Sequence, residues 1–435
     1  MIRVQDVQIV TFGCRLNSFE SELIGRAAAD AGLADAVIVN TCAVTAEAER
    51  QARQAIRRAR RERPDARIIV TGCAATLAPA RYAALDGVDR VLDNQAKLRA
   101  ASYRADPHPP LAKASGSPSP ALREREDKPL SRTAGEGAAG RSPGAGEGMR
   151  ARAYLQVQQG CDHRCTFCII PYARGPSRSV TPEAIVAQAR TLVAAGCREI
   201  VLTGVDLTAY GGDLPGGPTL GEVARGLLAE VPELRRLRLS SLDPSEIDHA
   251  LWRLFADEPR LMPHLHLSLQ AGDDLILKRM KRRHSRAAAI ATVRRARALR
   301  PEVAIGADLI AGFPTESEDM FRRSLDLVEE CGIAFLHVFP YSARPGTPAA
   351  RMPPIAPALV RERAARLRAA GAAQLRANLA ARVGTVSDVL IERPGIGRAA
   401  SYAEVRMGDE LPSGSIRRMR IEAAGERHLV GVPVP

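Results

Sequence analysis

Short apolar runs alternate with longer segments of helical period through the first hundred residues of the chain. Three of these runs, at residues 7–13, 36–41 and 67–72, are rich in Val and Ile, as buried strands are. Helical segments follow them at residues 18–31, 46–63 and 77–85. Strand–helix–strand alternation with connections of this length predicts a parallel sheet. We therefore expect residues 1–103 to form an α/β domain.

The strand pattern resumes at residue 150 and recurs about six times. The predicted strands lie at residues 153–159, 199–204, 237–241, 265–270, 303–310 and 335–339. The predicted helices lie at residues 182–195, 220–230, 273–299 and 316–331. The segment has six βα units in roughly 200 residues, whereas a closed barrel has eight units in roughly 250 residues. A partial, open (βα)6 barrel over residues 150–377 is the expected architecture.

Two further regions differ from both of these patterns. Residues 104–149 are rich in Pro, Gly, Ser and Ala with almost no bulky apolar side chains, which predicts a flexible linker. Residues 378–435 contain short alternating runs between glycines, at residues 386–391, 402–407, 416–423 and 428–432. Strands this short at this spacing predict a small antiparallel β-barrel.

The chain is strongly basic, with a formal net charge of +13 and a pI near 9.8. Residues 278–300 carry ten Lys and Arg side chains and no acidic ones. Like charges at this density repel one another without a counter-anion, so we expect residues 278–286 within it to contact nucleic acid or phosphate. A solvated helix face is the alternative for this segment.

Three cysteines, Cys161, Cys165 and Cys168, have the spacing C-x3-C-x2-C on a polar loop. Three thiolates can hold three irons of a cubane cluster and leave the fourth iron open, whereas a structural zinc site needs four ligands. This spacing is typical of radical S-adenosylmethionine enzymes. The alternatives are free thiols or a zinc site that His163 completes.

Three more cysteines each follow a predicted strand of the first domain, namely Cys14, Cys42 and Cys73. Ligands bind at the carboxyl ends of parallel strands, and neighbouring strands lie about 4.8 Å apart. We therefore expect a second three-cysteine cluster there. We expect Cys197 and Cys331 to be ordinary packed residues. The sequence shows no signal peptide and no apolar run of membrane-spanning length, and thiols that bind iron need a reducing compartment, so we expect a cytoplasmic protein without membrane contact.

Several segments together resemble the methylthiotransferases, a family of radical S-adenosylmethionine enzymes. They are Gly-Cys-Arg-Leu-Asn at residues 13–17, Asn-Thr-Cys-Ala-Val-Thr at residues 40–45 and Cys-Ile-Ile-Pro-Tyr-Ala-Arg-Gly at residues 168–175. Matching segments also lie at residues 202–206, 264–272, 308–314 and 339–342. The first three segments look like the branch that acts on N6-threonylcarbamoyladenosine in tRNA.

This resemblance implies the function, the cofactors and the partners. It implies methylthiolation of C2 of N6-threonylcarbamoyladenosine next to the anticodon, with two [4Fe-4S] clusters and with S-adenosylmethionine as radical source and methyl donor. It implies that the second cluster holds the sulfur to be transferred and that the terminal β-barrel is an RNA-binding domain of the TRAM type. The implied partners are tRNA, an electron donor such as flavodoxin or ferredoxin, and a sulfur source.

Polar residues at the carboxyl ends of barrel strands face the active site of a barrel enzyme. On this basis Asp206, Gln270 and Asp308 are candidate catalytic residues, and the candidates for cofactor binding besides the cluster cysteines are Thr203, Gly204, Ser240 and Ser241. His264 and His266 share one strand face, but the sequence offers no third ligand beside them, so we expect no metal there.

Two kinds of alternative function remain at this point. One is the same chemistry on another substrate, either an aspartate of ribosomal protein S12 or isopentenyladenosine in tRNA. The other is a non-catalytic iron–sulfur protein that binds RNA. Six cysteines in two open-cluster arrangements argue against the second alternative, since a protein that only binds RNA needs no methyl donor.

Overall fold

The computed structural model describes residues 2–4, 6–104, 151–408 and 410–434. The predicted linker therefore lies outside the described residues, apart from its first residue. Three bodies follow one another along the chain: a five-stranded sheet with helices, an open arrangement of parallel strands and helices, and a closed barrel.

The N-terminal body is a sheet of strand order β1-β2-β3-β4-β5. The strands are β1 Ile2–Val4, β2 Val7–Thr11, β3 Ala36–Thr41, β4 Arg67–Gly72 and β5 Arg90–Val91. The helices are α1 Arg15–Asp30, α2 Ala46–Glu62, α3 Cys73–Leu77 and α4 Pro79–Ala83. The prediction of an α/β domain is confirmed, but the sheet is not wholly parallel, because β1 pairs antiparallel with β2. The predicted helix 77–85 is also wrong in its bounds, because Pro79 begins a new helix.

Both faces of this sheet are covered, which explains the unbroken apolar runs in its central strands. Val37, Val39, Ile68 and Val70 belong to the core on the side of α2. Ile9, Ile24, Ile38 and Ile69 belong to the core on the side of α1. A sheet that is buried on both faces holds its strand ends at a fixed edge, and that edge carries the first group of cysteines.

The central body is an open barrel of seven parallel strands in two sheets, of order β10-β9-β6 and β11-β12-β13-β14, with β10 and β11 in place of the one predicted strand 237–241. These strands are β6 Arg152–Gln156, β9 Glu199–Thr203, β10 Arg236–Leu239, β11 Ser241–Leu242, β12 His264–Gln270, β13 Ala304–Ala311 and β14 Ile333–Pro340. A short antiparallel pair, β7 Gln158–Gln159 and β8 Arg178–Ser179, flanks the cysteine loop. The predicted partial (βα)6 architecture is confirmed.

Eight helices surround these strands. They are α5 Ile170–Arg174, α6 Pro182–Ala194, α7 Leu220–Glu230, α8 His249–Asp257, α9 Asp274–Met280, α10 Arg286–Leu299, α11 Glu318–Glu330 and α12 Pro357–Ala380. The prediction of one helix over residues 273–299 is wrong: Lys281 has a left-handed backbone with φ 58°, which ends α9 before α10 begins. The long helix α12 packs on β14, where Gly371 lies so close to Leu336 that an added Cβ would stand 2.8 Å from its side chain.

The terminal body is a closed barrel of order β15-β16-β17-β19-β18. Its strands are β15 Val386–Arg393, β16 Ile396–Ala399, β17 Glu404–Arg406, β18 Ile416–Ala424 and β19 Leu429–Pro433. The predicted barrel is confirmed, with one correction: β17 and β19 pair parallel, so the barrel is not wholly antiparallel. Two buried arginines of β10 join this barrel to the central body, since Arg236 donates to the Asp388 carbonyl and Arg238 donates to the Ala399 carbonyl.

Candidate functional site

The first group of cysteines lies at the carboxyl edge of the N-terminal sheet. Cys14 follows β2 and precedes α1, Cys42 follows β3, and Cys73 begins α3 directly after β4. Gly13 has φ 97°, and an added Cβ there would lie 2.6 Å from the Cys42 sulfur. Only glycine therefore allows the loop of Cys14 to approach Cys42 this closely.

Two asparagines hold these strand-end loops together. Asn17 donates from Nδ2 to the Phe12 carbonyl at 2.7 Å and to the Thr41 carbonyl at 3.1 Å. Asn40 donates from Nδ2 to the Asn17 carbonyl at 3.1 Å. These bonds fix the position of the loops that carry Cys14 and Cys42, because buried polar groups with satisfied bonds stay in one arrangement.

The second group lies on the loop between β7 and α5. Its backbone closes on itself, with the Cys161 amide donating to the Gly175 carbonyl at 3.1 Å and the Cys168 amide donating to the Cys165 carbonyl at 3.1 Å. Gly160 has φ 78°, and a Cβ there would lie 1.8 Å from the Pro176 carbonyl. The loop thus turns Cys161, Cys165 and Cys168 to one region of space.

The two groups of cysteines adjoin each other. Asn94 brings its Nδ2 within 3.7 Å of the Cys73 sulfur and donates to the Ala173 carbonyl at 2.9 Å, and Ala173 lies in α5 directly after the second cysteine loop. Cys73 also belongs to the same apolar core as Ile169 and Ala173. The structure therefore places both groups at one interface between the N-terminal body and the central body.

A buried ion cluster fixes this interface. Arg174 donates to Glu20 Oε1 at 2.7 Å and to Asn17 Oδ1 at 2.7 Å, and Lys97 donates to Glu20 Oε2 at 2.7 Å. Each of these three charged side chains is no more than about 2% exposed. Although burial raises the pKa of Glu20, the two cations beside it lower that pKa by more, so the carboxylate stays ionised. Sequence reasoning did not single out Glu20 or Lys97, because the contacts join distant parts of the chain.

Each group contains a thiol whose pKa is raised by its surroundings. Burial raises the pKa of Cys42 to about 12 and that of Cys168 to about 11. Such thiols are protonated at neutral pH and lose their protons when a metal binds, because the thiolate is the ligand. Each group offers three cysteine sulfurs as ligands. Three such ligands fit an iron–sulfur cluster that keeps one iron without a cysteine ligand.

The two remaining cysteines do not supply a fourth ligand to either group. Cys197 is buried in the central core, with its sulfur 3.1 Å from the Glu199 carbonyl. Cys331 is buried at the end of α11. Both lie where ordinary packed residues are expected.

His163 lies among acidic groups beside the second cysteine loop. Its Nε2 atom stands 3.4 Å from Asp206 Oδ2 and 3.3 Å from Glu246 Oε1. Hydrogen bonds with Cys165 and Glu246 raise the pKa of His163 to about 10, so the imidazole carries a proton at neutral pH. The imidazole of His163 is thus engaged with Cys165 and with two carboxylates beside the cysteine loop.

The candidates after β9 are held by Gln158, a residue that sequence reasoning passed over. The amides of Val205 and Asp206 both donate to Gln158 Oε1 at 2.9 Å. A Cβ on Gly204 would lie 2.9 Å from that same oxygen, so glycine is needed for the close approach. Asp206 then stands with its carboxylate 3.4 Å from the Cys161 sulfur, and Thr203 is buried at the end of β9.

Ser240 and Gln270 are unusual in different ways. The Ser240 hydroxyl is buried, and no residue in the described part of the chain bonds to it. Gln270 ends β12 in a left-handed backbone with φ 69°, which is rare for a side chain of this size. Ser241 begins β11 beside Ser240 and is half-buried. Polar groups in this state at strand ends are suited to ligand contact.

Asp308 joins two histidines inside the barrel. Its Oδ1 atom lies 2.9 Å from His266 Nε2 and 3.1 Å from His337 Nδ1. Burial raises the pKa of Asp308, but the two histidines lower it further, so the carboxylate is ionised. The sequence argument that His266 has no third ligand nearby is wrong, since one ligand atom from each of these three residues lies within 4.8 Å of the others.

Three arginines of residues 278–286 have carboxylate partners within the protein. Arg282 bonds Asp243 at 2.7 Å, Arg286 bonds Glu330 at 2.7 Å, and Arg283 bonds Glu246. The expectation of nucleic-acid contact rested on missing counter-anions, and these carboxylates supply them for three of the six basic residues in 278–286. None of the helices in the described ranges combines the length and the apolar character that a membrane span requires.

Two family models match the chain, and each contains one group of cysteines. The Radical SAM superfamily matches residues 155–328, and the Uncharacterized protein family UPF0004 matches residues 6–93.

Curated proteins and solved structures show further similarity. The chain is 46% identical, over 97% of its length and 96% of the relative, to the threonylcarbamoyladenosine tRNA methylthiotransferase MtaB of Rickettsia prowazekii. It is 33% identical, over 97% of its length and 98% of the relative, to the tRNA-2-methylthio-N(6)-dimethylallyladenosine synthase of Ruegeria pomeroyi. The radical S-adenosylmethionine methyltransferase TsrM of Kitasatospora setae superposes with a TM-score of 0.48 and 16% identity over 77% of this chain and 67% of that one.

Proposed function

Because the chain belongs to the methylthiotransferase family of radical S-adenosylmethionine enzymes, we propose that it methylthiolates C2 of N6-threonylcarbamoyladenosine next to the anticodon of tRNA. Both groups of cysteines take part in this reaction. The observation that carries this proposal is the pairing of two open three-cysteine groups at one interface, in a chain similar along 97% of its length to an enzyme of that name.

The radical S-adenosylmethionine superfamily uses an iron–sulfur cluster and S-adenosylmethionine. We assign one [4Fe-4S] cluster to the second group of cysteines, Cys161, Cys165 and Cys168, and another to the first group, Cys14, Cys42 and Cys73. When bound, the cluster on the second group would supply the electron that cleaves S-adenosylmethionine, and the cluster on the first group would supply an open iron for the sulfur to be transferred. A further S-adenosylmethionine supplies the methyl group.

The chain's own residues orient the cofactor and hold protons. Gln158 fixes the turn of Gly204, which together with Thr203, Ser240 and Ser241 is proposed to contact S-adenosylmethionine. The free hydroxyl of Ser240 and the left-handed turn at Gln270 support these roles. Asp206, Gln270 and Asp308 are proposed to contact the reacting groups.

The surroundings of Asp308 keep its carboxylate ionised. Its half-buried carboxylate accepts from two imidazoles, and these lower its pKa, so it stays ionised. Such a group accepts a hydrogen bond from a substrate N–H or O–H and holds it in one orientation. Exclusion of water from the interface between the two groups of cysteines would protect reactive species there, and the buried ion cluster of Glu20 lies at that interface.

The terminal barrel is proposed to bind tRNA. Arg417, Arg418 and Arg420 of β18 are exposed, while Met419 and Ile421 of the same strand face the barrel core. Exposed guanidinium groups on one strand suit phosphate contacts. The proposed division of the chain is 1–103, 104–149, 150–377 and 378–435, and the last boundary falls in the final turn of α12. An electron donor such as flavodoxin or ferredoxin, a sulfur source and a cytoplasmic location complete the proposal.

Mass spectrometry of tRNA nucleosides from cells with and without the gene tests this proposal. We expect loss of 2-methylthio-N6-threonylcarbamoyladenosine alone, with accumulation of its precursor. Loss of the methylthio form of isopentenyladenosine instead would move the assignment to the other tRNA branch. An unchanged nucleoside profile would reject the tRNA substrate and leave ribosomal protein S12 as the candidate to examine.

A further inference from the structure

Arg15 extends from the N-terminal body to a residue of the terminal barrel. It follows Cys14 directly, at the start of α1, and it donates from Nη2 to the Tyr402 hydroxyl at 3.1 Å. The two residues are 387 positions apart in the chain. Arg15 is half-buried, so its side chain is enclosed by protein without being sealed off from solvent.

Tyr402, the partner of Arg15, packs against aromatic residues of the central body. Its ring stacks on His264 with 4.6 Å between centroids and meets Phe335 edge-on at 5.4 Å. His264 lies on β12 and Phe335 on β14, two residues before His266 and His337 respectively, so all four side chains lie on the same strand faces, inside the barrel. Arg15 is also among the charges that lower the pKa of His266. Its guanidinium therefore faces the interior of the barrel, near the group of Asp308.

Three other arginines surround the Tyr402 ring, and each of them has a carboxylate partner. Arg238 bonds Glu199 at 2.9 Å, Arg398 bonds Glu392 at 2.9 Å, and Arg152 bonds Glu392 at 3.1 Å. Arg15 differs from them: in the described part of the chain no carboxylate lies within ion-pair distance of it. Its one hydrogen bond goes to a phenol.

The surroundings of Tyr402 are strongly positive. Burial alone would raise the pKa of the phenol, but the four guanidinium groups lower it to about 7. A potential that favours a phenolate to this extent also favours any other anion at the same place. An enclosed guanidinium without a carboxylate partner is costly, and an anionic ligand that completes its bonds gains a pair of charge-assisted hydrogen bonds.

We propose that Arg15 binds the carboxylate of the amino-acid group on the substrate adenine. The inference rests on the proposed function: the threonylcarbamoyl group ends in a carboxylate, whereas an isopentenyl group is neutral and apolar. Because Arg15 is the neighbour of Cys14, the contact would anchor the modified base beside the cluster that holds the sulfur. The planar guanidinium matches a carboxylate with two parallel bonds, which a lysine cannot reproduce.

The test compares a tRNA anticodon stem-loop that carries N6-threonylcarbamoyladenosine with the same stem-loop carrying the methyl ester of that group. The ester keeps the shape and removes the charge. The full-length enzyme with both clusters is assayed for kcat/KM of methylthiolation. We expect the wild-type enzyme to prefer the acid by about 10- to 100-fold, the range for a hydrogen bond between charged groups.

Variants at Arg15 assign that preference to one residue. We expect Arg15→Met to lose the preference by losing activity on the acid alone, with its iron content and its uncoupled cleavage of S-adenosylmethionine unchanged. Arg15→Lys should keep part of the preference. Tyr402→Phe is the matched control: it removes the present partner of Arg15 but leaves the guanidinium, so the preference should remain.

The outcomes separate this inference from the proposed function. A wild-type enzyme that methylthiolates acid and ester equally well would overturn the role of Arg15 and leave the proposed function intact. Equal losses on both substrates in Arg15→Met would also overturn it, because they would show a purely structural contact with Tyr402. A wild-type enzyme that acts on neither substrate but does act on isopentenyladenosine would reject the proposed function itself.

Discussion

At the scale of single residues, hydrogen bonds from a few amide side chains hold the candidate site in place. Gln158 accepts from two backbone amides after β9 and donates to the Gly160 carbonyl at 2.9 Å, which joins the turn after β9 to the cysteine loop. Asn94 joins Cys73 to α5 in a similar way. These bonds are buried or partly buried, so the loss of one leaves a polar group without its partner where water has little access.

Gln158→Leu should weaken both the fold and the cofactor site. It removes the acceptor of the Val205 and Asp206 amides, and we expect a loss of about 2 to 4 kcal/mol in the free energy of unfolding. Denaturant unfolding and the rate of S-adenosylmethionine cleavage are the measurements. Gln51→Leu, at an exposed position, is the control. Stability equal to that of the wild type would contradict the role given to Gln158.

The pKa of Tyr402 predicts a dependence of stability on pH. The folded protein lowers this pKa to about 7 from an ordinary value near 10, so between these values the unfolded chain binds more protons than the folded one. The contribution of Tyr402 to stability is therefore complete above about pH 10 and is lost as the pH falls through about 7. The unfolding free energy of wild type minus that of Tyr402→Phe should rise over this window. A difference that is constant with pH would contradict the prediction.

The six cluster cysteines could be predicted from the sequence, but their supporting residues could not. Spacing along one loop identifies Cys161, Cys165 and Cys168, and strand ends identify the other three cysteines. Gln158 contacts a turn 47 positions away, and His337 on β14 contacts Asp308 on the neighbouring strand β13. Such contacts depend on register and barrel closure, which no local pattern of residues records.

At the scale of elements, glycines set how closely the cysteine loops approach each other. Gly13 and Gly72 have φ values of 97° and 96° at the ends of β2 and β4, and both lie against neighbouring backbone or sulfur atoms. The strand-to-helix turns of this domain are therefore built around the cysteines that they carry. A methyl group added at such a turn would displace a cysteine ligand as well as the loop that carries it.

Gly13→Ala should remove one cluster and spare the other. An added Cβ would lie 2.6 Å from the Cys42 sulfur, so Cys42 has to move out of the group. We expect the iron bound per chain to fall by roughly half, because one of the two groups of cysteine ligands is lost. Gly32→Ala is the matched control, because Gly32 has φ 67° but nothing within 4 Å of an added Cβ. Full iron content in Gly13→Ala would contradict the prediction.

Many elements were predicted from hydrophobic period, but helices α8 and α12 were not, and two helices were predicted with wrong bounds for local reasons. Pro79 divides the predicted helix 77–85, and Lys281 in a left-handed conformation divides the predicted helix 273–299. The four-residue strand β16 was not predicted, because Ile396–Ala399 is too short to show alternation beside Gly395. The parallel pairing of β17 with β19 depends on how the barrel closes, which alternation cannot indicate.

At the scale of the whole molecule, the three bodies contact one another through side chains. The N-terminal body contributes Arg15 and the first cysteines, the central barrel contributes the second cysteines and Asp308, and the terminal barrel contributes Tyr402. The order of these bodies was predicted from composition and period. Their mutual contacts were not, because residues that are hundreds of positions apart form them.

Glu20→Gln should destabilise the contact between the N-terminal body and the central body. Glu20 is the carboxylate that neutralises Lys97 and Arg174, and all three charges are buried. Removing one partner of a buried ion pair costs about 3 to 5 kcal/mol, because the remaining charges lose their compensation. Denaturant unfolding measures the loss. Glu47→Gln, which breaks an exposed pair with Arg50, should cost less than about 1 kcal/mol. Equal effects of the two variants would contradict the role of the buried cluster.

The division of work between the two groups of cysteines is the central claim. The most direct measurement compares Cys42→Ala with Cys165→Ala in purified enzyme that carries its clusters, using tRNA with N6-threonylcarbamoyladenosine. Both 5′-deoxyadenosine and the methylthiolated nucleoside are quantified. We expect Cys42→Ala to cleave S-adenosylmethionine without forming the methylthio product, and Cys165→Ala to do neither. Formation of the methylthio product by Cys42→Ala would contradict the assignment of sulfur transfer to the first group.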